Sequence, residues 1–285
     1  MKKRIFEIWN KIPAIVRAIL VGMIIQIIGV IPLFILISKN IEIMPQFPLA
    51  SVIGLLYIWI FWRFVSGKKG PFSPSIFRVN LSRTNKMEPK VKKWAYISGI
   101  PFTITLFSFS ILGFLLTEMP LNQVQILSSL KSIPIWTSIS LIFLVAFVTG
   151  VVEETAFRGY MQRIIEEKHS PVMAIIIVSL VFTIVHFMPL PVWPIFILVS
   201  IGWGYLAYFS GSILPGIIFH TLVDFVGFIW GMVYIDQLKE ILEYNVFIDG
   251  ANNLFIALMI IGILFGIATI FSLNKLKNEM ALTKK

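Results

Sequence analysis

Eight apolar segments, each close to the length that crosses a lipid bilayer, constrain this chain more than any other feature. A transmembrane helix needs about 20 consecutive apolar residues. The segments lie at residues 14–37, 47–64, 94–117, 135–157, 171–188, 191–210, 211–232 and 253–273. Of the 285 residues, 58% are hydrophobic and 13% are charged, which is more apolar than a soluble core can hide. We therefore expect an all-α fold, a polytopic bundle of about eight transmembrane helices, in a single integral membrane domain over residues 1–285.

The basic residues between these segments predict the topology. With a cytoplasmic N-terminus, nearly all of them fall on the cytoplasmic side, including Lys2, Lys3, Arg4, the connector 66–93, Lys284 and Lys285. The outer side keeps Lys39, Lys131 and Lys239. Because basic residues concentrate on the cytoplasmic side of membrane proteins, both termini are predicted to be cytoplasmic.

The net charge of +10 is interpreted through the same topology. Since the basic residues flank apolar segments, they predict contact with anionic lipids at the cytoplasmic face and no contact with nucleic acid. The connector 66–93 is interpreted as a solvated cytoplasmic loop. The composition, rich in isoleucine, lysine and phenylalanine, favours a multi-pass protein of a bacterial plasma membrane.

Ionisable side chains are rare inside the apolar segments, so the few that occur are informative. Each charge costs about 2.5–3.5 kcal/mol at the centre of a membrane helix. Apart from Arg17, near a segment end, they are Glu153, Glu154, Arg158, His186, His220 and Asp224. Intramembrane groups of this kind usually face one another or a cavity and serve a function. The candidate functional core therefore lies at about residues 135–232.

Spacing groups these residues further, because positions four apart share a helix face. Three pairs have this spacing: Glu154 with Arg158, Phe182 with His186, and His220 with Asp224. The first suits a structural ion pair, which leaves Glu153, turned by about 100°, without an intrahelical cation. At about 1.5 Å per residue, Glu153, His186 and His220 are predicted to reach a similar depth on three helices and to converge.

These motifs resemble those of the CAAX protease and bacteriocin-processing (Abi) family of intramembrane peptidases. They read Glu153-Glu154-x-x-x-Arg158, Phe182-x-x-x-His186 and His220-x-x-x-Asp224, and the resemblance covers about residues 145–232. The first 130 residues carry no motif that we can assign. The third motif ends in Asp224, whereas the corresponding motif of the prenyl-protein proteases usually ends in asparagine. The resemblance implies an endopeptidase whose substrate is a membrane-associated protein or a peptide precursor, with a prenylated protein and a bacteriocin or pheromone precursor as candidates.

On this resemblance, Glu153 is expected to act as general base for a water that His186 helps to hold. His220 is expected to stabilise the oxyanion, with its tautomer and orientation fixed by Asp224. The supporting residues would be Glu154, Arg158 and Phe182. No cofactor is favoured. Two nitrogen and two oxygen ligands from Glu153, His186, His220 and Asp224 would suit zinc in number, so a zinc-dependent protease remains the alternative.

Other protease classes lack their signatures. The chain has no cysteine, no H-E-x-x-H zinc motif and no G-x-S-x-G elbow, and Asp224 is the single aspartate inside an apolar segment. Two other classes of function remain open. An ion or proton transporter could use the same charges but should show an internal repeat, and a non-catalytic membrane scaffold should have lost a motif residue. The sequence shows neither feature.

Overall fold

The computed structural model describes residues 9, 11–68, 72–116, 121–187, 189–235 and 246–283. It leaves aside the side chains of residues 114, 121–124 and 248. Secondary structure in these ranges is helical, without a strand. Seven basic residues used to predict the topology lie outside the described residues: Lys2, Lys3, Arg4, Lys69, Lys239, Lys284 and Lys285. The orientation of the termini therefore stays a prediction.

The longer helices account for most of the described chain. In chain order the elements are α1 (Ala14–Ile43), α2 (Leu49–Val65), α3 (Ile76–Ser82), α4 (Pro89–Leu116), α5 (Leu121–Lys131), α6 (Ile135–Glu153), a π-helical segment (Glu154–Met161), α7 (Gln162–Glu166), α8 (Pro171–Val185), a 3₁₀ turn (Leu190–Val192), α9 (Trp193–Ser210), α10 (Leu214–Val233), α11 (Val246–Asp249) and α12 (Asn253–Leu282). From α6 through the π-helical segment to α7 the helix is continuous over 32 residues.

Each of the eight predicted segments forms an apolar helix. Within the described ranges, six are long and apolar enough to cross a membrane: α1, α4, the continuous α6–α7 helix, α9 with its preceding turn, α10 and α12. The other two are shorter, with 17 residues in α2 and 15 in α8. Their outward side chains are apolar, as for Leu56 and Ile263, which are 59% and 49% exposed. An exposed apolar surface of this extent suits a lipid environment, and the chain is a multi-pass membrane protein.

α8 ends earlier than predicted. The segment was expected to run to residue 188, but the helix stops at Val185 and His186 follows it. Phe187 has a positive φ of 51°, and Pro189 lacks the N–H that would bond to the Val185 carbonyl in a continued helix. His186 therefore lies at a helix end, where its side chain can turn towards neighbouring helices.

The continuous α6–α7 helix is the centre of the bundle. In its most apolar stretch 56% of residues are buried, against 17% in α1 and 11% in α12. α1, α2 and α10 pack around it. Glycines allow the close approach of α1, because a Cβ at Gly22 would overlap Met161 and one at Gly29 would overlap Val152. α12 packs mainly against α4.

The connector 66–93 differs from the solvated loop that was expected. Residues Leu81, Ser82, Arg83 and Thr84 are buried, and α3 packs on the π-helical segment. The expectation was wrong here because Arg83 finds partners: its guanidinium pairs with Glu166 and donates to the Arg158 carbonyl at 3.3 Å. Burial lowers the pKa of Arg83, and the neighbouring Glu166 carboxylate opposes that shift.

Candidate active site

The site is built around the junction between α6 and the π-helical segment. Glu153 is the last residue of α6, and Glu154 is the first of the π-helical segment. A π-helix is rare and usually short, and it often marks a functional position. Glu153 is 7% exposed, and Glu154 and Arg158 are completely buried. Charges so deep in a protein persist only with partners, so their contacts define the site.

Glu153 faces two histidines from two other helices. Its Oε2 atom lies 3.9 Å from Nε2 of His186 and 3.8 Å from Nε2 of His220. Oε2 accepts no hydrogen bond from the described residues, whereas Oε1 accepts one from Nε2 of Gln26 at 3.4 Å. The two histidine distances are too long for direct hydrogen bonds and suit a bridging water. The structure thus brings together the three residues that were expected to converge.

His186 is oriented by its own helix. Its Nδ1 lies 2.6 Å from the Phe182 carbonyl oxygen, one turn earlier in α8. A carbonyl only accepts, so Nδ1 carries the hydrogen and donates it. This contact turns Nε2 towards Glu153. Phe182 also packs against the His186 ring, with centroids 4.2 Å apart, and against Phe157 at 5.2 Å.

His220 on α10 is surrounded by carboxylates. Its Nδ1 lies 3.1 Å from Oε1 of Glu154, while Nε2 faces Glu153 and lies 3.7 Å from Oδ2 of Asp224. Its ring stacks on Trp203 of α9, with centroids 5.7 Å apart. Three carboxylates thus surround this ring. Its Nε2 atom faces the space in front of Glu153.

The orientation of His220 differs from the expectation. Asp224 was expected to fix this ring, but the contact to Nδ1 comes from Glu154, because the i, i+4 spacing places Asp224 beside Nε2 instead. Asp224 is itself held by Thr149 of α6, whose hydroxyl donates to Oδ2 at 2.6 Å. Asp224 thus lies at the edge of the site, with its side chain 25% exposed.

Glu154 and Arg158 form a buried pair within the π-helical segment. Nη1 of Arg158 lies 3.4 Å from Oε1 of Glu154, and Nη2 donates to the Ser200 hydroxyl of α9 at 3.0 Å. The guanidinium also lies over the Phe182 ring, 4.5 Å from its centroid. Gly216 of α10 packs directly on the Glu154 carboxylate, so any side chain there would overlap it. The Glu154–Arg158 pair therefore ties the π-helical segment to α10 through Glu154 and to α9 through Arg158.

Three carboxylates share this site with one guanidinium and two imidazole rings. Glu154 pairs with the Arg158 guanidinium, and the His220 ring faces Glu153, Glu154 and Asp224. Oε2 of Glu153 and Oε2 of Glu154 both accept no hydrogen bond from the described residues, and Oε2 of Glu153 is the one that faces both histidines. A carboxylate in this position can accept a proton from water.

Zinc binding requires a particular spacing between the ligand atoms. Tetrahedral ligands about 2.0–2.2 Å from zinc stand roughly 3.3–3.6 Å from one another. The distances from Glu153 and Asp224 to the histidine nitrogens, 3.7–3.9 Å, are wider. Among the described residues, no group of three or more His, Asp and Glu side chains is placed to hold a metal ion.

Four residues of the site were not predicted from the sequence, because the prediction considered ionisable side chains and these are neutral or aromatic: Gln26, Thr149, Ser200 and Trp203. One signal was available for Gln26, because it is the only amide side chain in the apolar segment 14–37. Thr149 carried no such signal, because threonine is common in membrane helices and usually bonds to its own backbone.

Comparison with protein families gives one match. Residues 135–226 match the family described as Rce1-like, type II CAAX prenyl endopeptidase Rce1-like. Neither the curated proteins nor the solved structures contain a match to this chain. The matched residues include all three motifs, whereas Gln26 and the whole of α1 lie outside them.

Proposed function

We infer that this chain is an intramembrane protease that hydrolyses a peptide bond with a water activated by Glu153, because residues 135–226 match the CAAX prenyl endopeptidase family. The observation that carries this inference is the position of Oε2 of Glu153 opposite Nε2 of both His186 and His220. Glu153 as the base, His186 as a hydrogen-bond acceptor and His220 as a donor would then surround one point. That arrangement can bind a water and deprotonate it as it attacks.

In the proposed reaction, a water lies between Oε2 of Glu153 and Nε2 of His186. Glu153 takes one proton as the water oxygen bonds to the substrate carbonyl carbon. The carbonyl oxygen becomes an oxyanion and accepts a hydrogen bond from Nε2–H of His220. When the carbon–nitrogen bond breaks, protonated Glu153 gives its proton to the leaving nitrogen. The products are a carboxylic acid and an amine.

The other residues would position these three. Glu154 holds Nδ1 of His220, and Asp224 lies beside Nε2 of the same ring, where its charge favours the imidazolium. Arg158 neutralises Glu154, and Phe182 fixes His186. The substrate proposed is a membrane-associated protein or peptide precursor at the bacterial plasma membrane. A prenylated C-terminus is one candidate, because the matched family is named for prenyl endopeptidases.

The test uses the purified chain in liposomes with two peptides of one sequence. One carries a farnesylated cysteine followed by three C-terminal residues, and the other has the same cysteine unmodified. In parallel, new N-termini are compared by mass spectrometry in membranes from cells producing wild type or Glu153→Gln. We expect cleavage that depends on Glu153. If wild type cleaves neither peptide, and its membranes contain the same N-termini as those with Glu153→Gln, the peptidase proposal fails and a scaffold or ion path becomes the better description.

The zinc-dependent alternative is tested in the same assay. Wild type is incubated with a chelator, and its metal content is measured directly before and after. Activity that is insensitive to a chelator, in protein without bound metal, supports the glutamate-activated water. If the chelator abolishes activity and added zinc restores it, the result would support a zinc-dependent mechanism with the metal held by Glu153, His186, His220 and Asp224.

A further inference from the structure

A polar cavity lies at the opposite end of the helices from the turn that carries His186. Its volume is about 380 Å³, and it shares no residue with the candidate active site. It forms where the ends of α7, α9 and α12 meet the segment between α3 and α4. The residues that give it its character are Arg83, Lys86, Arg163, Tyr208, Val91 and Met280.

Positive charge is in excess at this cavity. Arg83 and Arg163 pair with the same carboxylate oxygen, Oε2 of Glu166, so one anion serves two guanidinium groups. Lys86 adds a third cation to the lining, and Glu88 is the acidic residue that lines it. Arg163 is half exposed, with 48% of its side chain accessible, so it can contact a ligand without leaving Glu166.

The chemistry of the lining selects the ligand class. Guanidinium and ammonium groups bind phosphate oxygens by charge-assisted hydrogen bonds. The hydroxyl group of Tyr208 adds a neutral donor, and Val91 and Met280 form an apolar part of the wall. A phosphate ester with a short apolar portion matches this mixture.

The position of the cavity favours a lipid source for the phosphate. The predicted topology puts the ends of α7, α9 and α12 on the cytoplasmic side, where anionic phospholipids concentrate. We propose that this cavity binds the phosphate of an anionic phospholipid headgroup. The same chemistry would accept a soluble phosphate, and the experiment below separates the two sources.

Arg83 links the cavity to the helices of the active site. Its backbone carbonyl accepts a hydrogen bond from the N–H of Ile213, which immediately precedes α10, at 3.1 Å. Its guanidinium donates to the Arg158 carbonyl in the π-helical segment. A ligand that binds only the folded protein raises its stability, so occupancy should raise the melting temperature.

The test compares wild type with a double variant, Lys86→Gln with Arg163→Gln, in nanodiscs. Arg83 is left intact because it is buried and its loss would disturb folding. A matched control, Lys275→Gln with Lys277→Gln, removes two exposed charges from the end of α12 outside the cavity. Melting temperature and lipid retention by native mass spectrometry are measured in phosphatidylcholine with and without phosphatidylglycerol, and in phosphatidylcholine with inorganic phosphate.

We expect phosphatidylglycerol to stabilise wild type and the control equally and to remain bound to both. Because the cavity variant removes two of the three basic side chains that line the cavity, lipid binding to it should be roughly tenfold weaker or more. An identical response of the cavity variant and the control would overturn the proposal. If inorganic phosphate alone reproduces the stabilisation and displaces the lipid, the lipid source is overturned and the cavity is a soluble-phosphate site.

Discussion

The two sides of the candidate active site are built differently. The acidic side belongs to the continuous α6–α7 helix, where Glu153 and Glu154 are 7% and 0% exposed. On the other side, His186 lies just beyond the end of α8 with 28% of its side chain exposed, and Asp224 is 25% exposed. The acidic side is thus fixed by packing in the middle of the bundle. The histidine side is open, which makes it the side from which a peptide bond can approach Glu153.

A second contrast lies within the acidic side. Glu154 contacts Arg158 in its own helix and His220 and Gly216 in α10, so its removal would disturb the packing of two helices. Glu153 accepts one long hydrogen bond, from Gln26, and its Oε2 atom remains available to a substrate water. We propose that these adjacent glutamates serve different purposes: Glu154 stabilises the fold and Glu153 activates the substrate water. The predictions below test this division.

The largest effect on activity is expected from Glu153→Gln. Glutamine keeps the size of the side chain and can still bond to Gln26, but it cannot accept a proton from water. The loss of a general base typically lowers the rate about 10²–10⁴-fold. The rate constant for peptide cleavage is measured in liposomes, together with the melting temperature, which should change little.

The matched control is Glu42→Gln, which removes an exposed carboxylate paired with Lys39 at the end of α1. It should leave cleavage unchanged. A Glu153→Gln protein that cleaves at the wild-type rate would remove Glu153 from the reaction.

The largest effect on stability is expected from Glu154→Ala. This change leaves the Arg158 guanidinium buried without its carboxylate, and breaking a buried pair destabilises a protein by about 3–5 kcal/mol. Glu153→Ala creates no such orphan and should destabilise the protein less. Unfolding in mild detergent, followed by intrinsic fluorescence, gives the comparison.

A double variant, Glu154→Ala with Arg158→Met, sharpens this experiment. Removing both charges should recover much of the lost stability, because the unpaired cation is gone. Activity should not recover, since Nδ1 of His220 still lacks its partner. Equal stability of Glu154→Ala and Glu153→Ala would contradict the division between the two residues.

The sequence was sufficient to predict the parts of this protein that depend on hydrophobic length and charge. The apolar segments became helices because a chain in lipid must satisfy its backbone internally. Glu153, His186, His220 and Asp224 were predicted together because intramembrane charges are rare. The π-helical geometry of residues 154–161 was not predicted, since it depends on the hydrogen-bond register of one turn, which hydropathy does not encode.

The remaining differences have local causes. Residues 81–84 were expected in a solvated loop because the connector is basic, and the pairing of Arg83 with a distant glutamate is not visible in the composition. Thr149 has the form of an ordinary helical threonine, and its contact with Asp224 appears only when α6 and α10 pack together.

An intermediate effect is expected from Thr149→Val, which acts on the open side of the site. Valine keeps the shape of threonine and removes the hydroxyl that donates to Asp224 at 2.6 Å. A hydrogen bond to a charged group contributes about 1.5–3 kcal/mol, so a roughly tenfold fall in cleavage rate is expected. The control is Thr183→Val in α8, which removes a buried hydroxyl that donates to the Ser179 carbonyl of its own helix. Equal rates for the two variants would show that Asp224 needs no fixed position.

The smallest effect is expected from Gln26→Met, and it tests whether α1 takes part in the site. Gln26 lies outside the residues that match the family, yet its amide donates to Oε1 of Glu153. At 3.4 Å the bond is long, so its loss should lower the cleavage rate threefold to tenfold, which corresponds to roughly 0.5–1.5 kcal/mol. KM should stay unchanged, because Gln26 contacts the base and not the open side where a substrate would bind.

The packing of α1 makes this last effect separable from misfolding. Gly22 against Met161 and Gly29 against Val152 hold the helix in place, so methionine at position 26 should leave the melting temperature near that of wild type. Gln26→Glu replaces the attractive contact with a repulsive one. The new carboxylate lies beside the carboxylate of Glu153, and the repulsion between them should lower the cleavage rate further. Full activity in both variants would mean that α1 only packs against the site. If both variants cleave more slowly at unchanged stability, and the decrease is larger for Gln26→Glu, then α1 is part of the acidic side.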